Sequence, residues 1–74
     1  MQMNEGERRN CAFQSGRQDP HSFFGMLIQV IYKADDINRT RLAKGFPEEV
    51  QAVIDWTRKE GYAKKIMEEY ARGE

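Results

Sequence analysis

The sequence predicts an all-α protein: a small bundle of three to four short helices behind a disordered N-terminal tail. Three observations carry that expectation. The run at 23–32 has eight apolar or aromatic positions out of ten, interrupted by polar residues every three to four positions. Helix punctuation recurs, with Pro20 and Pro47 placed as starts and Gly45 and Gly61 as stops. No stretch alternates apolar and polar residues in the way a half-buried strand requires.

Residues 1–18 contain one isolated aromatic, Phe13, among Gln, Asn, Gly, Arg and Glu. Such a segment buries too little apolar surface to offset its ordering entropy, so a tail is expected. A single domain is expected over 19–74. Its first helix spans about 20–33, with Asp19 as N-cap and Pro20 at the first helical position. Ser22, Gly25, Gln29, Lys33 and Asp36 form one narrow polar stripe, and the rest of the circumference is apolar. Gly25 marks either a close helix approach or simple tolerance on that stripe.

A break near Ala34 is favoured over a single long helix. The second helix then covers 35–44, started by Asp35 or Asp36, with Asp35 spaced to pair with Arg39. Gly45 is expected to close it in a left-handed cap. Pro47, Glu48 and Glu49 open a third helix over 47–60, whose inner stripe is Val50, Val53, Ile54 and Thr57, widened by Trp56. Gly61 ends it. The fourth helix, 62–72, places Tyr62, Ile66 and Tyr70 on one face, and Glu60 with Lys64 and Lys65 with Glu69 are spaced to pair on the other.

Composition narrows the function. Twelve basic and twelve acidic residues cancel, so no global field draws the chain to nucleic acid or anionic membrane. The apolar run is about half of the roughly 20 residues that span a bilayer. It follows too long and too polar a leader for a signal peptide. A soluble chain in the cytoplasm is expected. Cys11 is the only cysteine and His21 the only histidine, which leaves no metal pair and no Cys-His dyad. The paired carboxylates Asp35/Asp36, Glu48/Glu49 and Glu68/Glu69 point about 100° apart on a helix, and capping accounts for two of the pairs. No phosphate-binding glycine loop is present. No catalytic residue, metal or cofactor is expected, and the protein is read as a non-enzyme.

What remains is binding. Seventy-four residues give one small domain with little to cover an apolar helix. The expected contact surface is Phe24, Leu27, Ile28 and Ile31, with Trp56 and Tyr70 as aromatic anchors. A homodimer is the first expectation, and a partner protein the second. Asp35, Asp36, Glu48 and Glu49 form a candidate acidic contact surface that imitates phosphates. Arg39, Arg41 and Lys44 are the candidate contacts of an alternative, a small DNA-binding regulator. The carboxylates of Pro-Glu-Glu at the start of the next helix oppose that alternative, because a recognition helix sets its N-terminus beside phosphates.

The stretch Tyr-Lys-Ala-Asp at 32–35, Asn-Arg-x-Arg-Leu-x-Lys-Gly-Phe-Pro-Glu-Glu-Val at 38–50, then Trp56 and Gly61-Tyr62, resembles short uncharacterised helical proteins encoded in bacteriophage and prophage gene clusters. The resemblance covers about 30 of the 74 residues and carries no functional residue. It implies a context: a small phage protein that binds and redirects a host enzyme or defence complex in the host cytoplasm, in the style of an anti-CRISPR inhibitor. A phage assembly component is the other role compatible with it.

Overall fold

The structure is a computed structural model and describes residues 3–73; the first two positions of the expected tail and Glu74 lie outside the described residues. These residues form five helices: α1 (Glu5–Gln14), α2 (Phe23–Lys33), α3 (Asp36–Ala43), α4 (Pro47–Arg58) and α5 (Tyr62–Ala71). The all-α expectation holds for the described residues.

The main correction is α1, which stands where the sequence reading places a tail. Its start is a capping box. Asn4 Oδ1 accepts the Glu7 N–H at 2.8 Å, and Glu7 Oε1 accepts the Asn4 N–H at 2.9 Å, so two orphan donors are satisfied reciprocally. Its buried face is small and polar rather than greasy: Gly6, Asn10 and Cys11. Gly6 lets α1 approach the backbone of α4, since a Cβ there would collide with the Glu48 carbonyl and the Glu49 nitrogen. The helix ends at Ser15, and Gly16 (φ 79°) turns the chain left-handed. The Arg17 and Gln18 N–H groups then return to the Ala12 carbonyl.

α2 starts three residues later than the Asp19-Pro20 signal suggests. The Asp19 carboxylate is occupied by the His21 N–H at 2.8 Å, which makes 19–22 a turn. Ser22 is the N-cap, accepting the Gly25 N–H at 3.1 Å. Gly25 answers to a close approach, though to this turn and not to a helix: a Cβ would strike the Asp19 carbonyl. Gln29 Nε2 donates to the Pro20 carbonyl at 2.8 Å, so the lead-in turn covers part of the polar stripe.

The break at Ala34 is present, with Ala34 extended at ψ 140°. Asp35 caps α3 by accepting the Asn38 N–H at 2.8 Å. Arg39 does not pair with Asp35. It donates instead to the Ile31 carbonyl at 3.0 Å and the Tyr32 carbonyl at 3.4 Å, capping α2. The left-handed cap expected at Gly45 is also absent. Lys44 remains right-handed, and the Phe46 N–H still reaches the Leu42 carbonyl at 2.8 Å, so no reversal of φ is needed there. Pro47 opens α4 as expected, and Gly61 (φ 76°) separates α4 from α5.

α4 is central, in contact with every other helix; α1 packs against α2, α4 and α5. One apolar cluster joins Leu27, Ile28 and Ile31 of α2 to Val50 and Val53 of α4, flanked by Phe13, Phe24, Leu42 and Phe46. The other joins Met3, Cys11 and Ile66, flanked by Trp56, Tyr62, Met67 and Tyr70. Each fully buried aliphatic side chain contributes about 1.5–3 kcal/mol. Between the clusters the buried Glu49 carboxylate is paired with Arg9, whose guanidinium also lies 3.6 Å from the Phe24 ring centroid. No buried side-chain polar atom among the described residues lacks a hydrogen-bond partner.

Candidate functional site: the outer face of α2

α2 is apolar over more of its circumference than one core can use. Phe24, Leu27, Ile28 and Ile31 turn inward. Phe23, Met26 and Val30, at i, i+3 and i+7, turn outward and stay 66%, 54% and 50% exposed. Ile37, at the start of α3, is 67% exposed. The Phe23 ring meets Phe24 edge-on at 5.0 Å and Phe46 at 6.0 Å.

Two depressions run along this face. One, of about 510 Å³, is lined by Val30, Lys33, Ala34, Asn38, Arg41 and Leu42 between α2 and α3. The second, of about 340 Å³, is lined by Pro20, His21, Met26, Gln29, Val30 and Lys33. They share Val30 and Lys33 and so form one trough. No carboxylate lines either depression. Asp19, Asp35 and Asp36, the nearest in sequence, are engaged elsewhere: Asp19 accepts the His21 N–H at 2.8 Å, Asp35 caps α3, and Asp36 meets Arg58 at 3.4 Å.

The surface expected from the sequence is therefore displaced around the same helix. Leu27, Ile28 and Ile31 are core residues sealed against α4, and Phe24 is half-buried under Arg9. None of the first three is available to a partner. Trp56 and Tyr70 are half-buried against the second cluster, with the Arg17 guanidinium 5.5 Å from the Tyr70 ring centroid. In the sequence the two stripes differ only by register: Phe23, Met26 and Val30 repeat at i, i+3 and i+7, and Phe24, Leu27 and Ile31 do the same one position later.

The four acidic candidates do not form one surface. Glu49 is buried against Arg9, Asp36 meets Arg58, Asp35 is exposed but caps α3, and Glu48 is exposed at the start of α4. The basic trio also divides. Arg39 is committed to the α2 carbonyls, whereas Arg41 and Lys44 are exposed.

The chemistry-bearing side chains stay apart. Cys11 is buried in α1 rather than lying in a tail, and burial raises its thiol from 9.0 to about 11, with Glu7 adding to the effect. At neutral pH it is a protonated, sheltered thiol. His21 is exposed in the turn before α2. Burial pushes the Tyr62 phenol well above its ordinary value, reinforced by Glu7, which accepts its hydroxyl at 3.3 Å. No group of three or more His, Cys, Asp and Glu side chains able to hold a metal gathers among the described residues. No helix among them is long and apolar enough to cross a membrane. No family model, curated relative or solved structure matches the chain.

Proposed function

We propose that this chain is a non-enzymatic protein-binding module whose contact surface is the outer face of α2. The observation that carries the reading is the exposed stripe Phe23, Met26 and Val30 on a helix whose opposite face already fills the core. Large apolar side chains clustered on a surface, in a protein of mean hydropathy −0.85, mark an interaction site more often than they mark anything else. The phage resemblance supplies a narrower version, an inhibitor that docks on a host enzyme or defence complex. DNA binding is the weaker alternative, since Arg39 is engaged and α4 begins with Glu48 and Glu49.

The test compares the wild-type chain with Met26→Ser/Val30→Ser. Both are immobilised for capture from bacterial lysate and both are sedimented at micromolar concentration. The reading expects a captured protein, or a doubled mass, that the variant loses while its helical circular dichroism is unchanged. Identical capture and identical mass for the two chains would overturn it. Sedimentation also separates the two kinds of partner, a second copy and a foreign protein.

A further inference from the structure

The rim of the trough says more than its floor. The floor is apolar, with Met26, Val30, Ala34 and Leu42. The titratable side chains lining it are Lys33, Arg41 and His21, in a chain whose acidic and basic residues are equal in number overall. Lys33 and Arg41 lie on the two helices that wall the larger depression, one cation on each side. This is the electrostatic counterpart of a helix with an apolar face bordered by carboxylates.

Two features argue against a second copy as occupant. Phe23, Met26, Val30 and Ile37 expose on the order of 400 Å² together, against about 800 Å² per partner in a standard stable interface. A two-fold contact would also place a rim holding Lys33 and Arg41 against its own copy, with no carboxylate in the trough to separate the like charges. The larger depression, walled by α2 and α3 and continued along α2 by the smaller one, instead suits a single helix laid along it.

Resting on the protein-binding reading above, we infer that the α2–α3 trough receives an acidic amphipathic helix of a partner protein. The helix sets apolar residues at i, i+3 or i+4, and i+7 on Met26, Val30 and Leu42. Carboxylates on its two flanks pair with Lys33 and Arg41.

The experiment uses the full chain, isotopically labelled, and a synthetic amphipathic peptide of about 18 residues, five helical turns, with Leu on one face and Glu on its flanks. A second peptide carries Lys in place of Glu. The Glu peptide is expected to shift the amide signals of Met26, Val30, Lys33, Ala34 and Arg41. It is also expected to bind about tenfold more tightly than the Lys peptide, the scale of two exposed pairs gained rather than opposed. Lys33→Glu/Arg41→Glu should reverse that preference without loss of helicity.

Equal binding of the two peptides, no binding of the Glu peptide, or shifts confined to other residues would overturn the inference. Two other outcomes would overturn it in favour of a different occupant. In one, the same shifts appear on raising protein concentration alone, which assigns the trough to a second copy. In the other, they appear with phosphatidylcholine/phosphatidylglycerol vesicles and not with the peptide, which assigns it to lipid. The protein-binding reading fails separately. If Met26→Ser/Val30→Ser abolishes peptide binding while charge reversal changes nothing, the charge inference falls and that reading stands. If neither variant alters binding, both fall.

Discussion

α1 and α2 have opposite compositions and unexpected fates. α1 carries Glu5, Glu7, Arg8 and Arg9 in its first half and has no large aliphatic side chain, yet it packs against three other helices. α2 is the most apolar segment of the chain, yet Phe23, Met26 and Val30 remain in solvent. The difference teaches that burial here follows fit. α1 is held by a glycine that admits α4, by the Gln14 amide donating to the Tyr32 hydroxyl of α2 at 2.6 Å, and by the Arg9–Glu49 pair. α2 supplies one face to the core, and its second face has no counterpart among the described residues.

The largest effect that would break the comparison lies in α1. Gly6→Leu sets a branched side chain against the Glu48 backbone, which cannot swing away as a side chain can. The substitution should cost about 3 kcal/mol or more. Urea unfolding measures the loss, and the Cys11 thiol should become readily alkylated as α1 lifts. A Gly6→Leu chain with unchanged stability and a sheltered thiol would show that α1 does not dock as described.

Next in size is the contrast between the two faces of α2. Ile28→Ala leaves a void between α2 and α4 and should cost about 2–5 kcal/mol, whereas Val30→Ala should stay within about 0.5 kcal/mol. Paired denaturation curves read both values. Equal losses would mean that α2 has no free face.

Alkaline pH tests the α1 side by a different route. Burial raises the Cys11 thiol from 9.0 to about 11 and lifts the Tyr32 and Tyr62 phenols above 10.0. All three involve α1. Cys11 lies on it, Tyr32 accepts the Gln14 amide at 2.6 Å, and Tyr62 donates to Glu7. Groups whose folded pKa is raised contribute stability that is complete below the unfolded value and fades as pH climbs through the folded one. The melting temperature should therefore hold up to about pH 9 and fall steadily above it, toward and beyond pH 11. A flat profile from pH 8 to pH 11 would contradict this packing.

The smallest of these effects is at the N-cap. Asn4→Ala removes the acceptor of the Glu7 N–H and should cost about 1 kcal/mol. Hydrogen exchange would show faster opening of α1 and little change in α2.

These same elements mark how far the sequence could be read. The break at Ala34, the start at Pro47 and the turn at Gly61 are local chemistry, and they appear in the fold as expected. α1 was hidden because its stripe of Gly6, Asn10 and Cys11 does not look apolar. The local signs of it were the Asn4 and Glu7 spacing, the Glu5–Arg9 pair and Gly16 after its end. The start of α2 at Ser22, rather than after Asp19, depended on a turn that packs against Gly25. For the candidate site, the sequence marked the helix but assigned its inner residues to the contact. Choosing between the faces required knowing that α4 covers Leu27, Ile28 and Ile31.

The central claim is that the outer face of α2 serves binding and not folding. The most direct test is to measure unfolding free energy and Glu-peptide affinity on one chain, Met26→Ser/Val30→Ser. The account predicts stability within about 0.5 kcal/mol of wild type and loss of peptide binding. A variant that unfolds more readily by several kcal/mol, or that binds the peptide as wild type does, would contradict it.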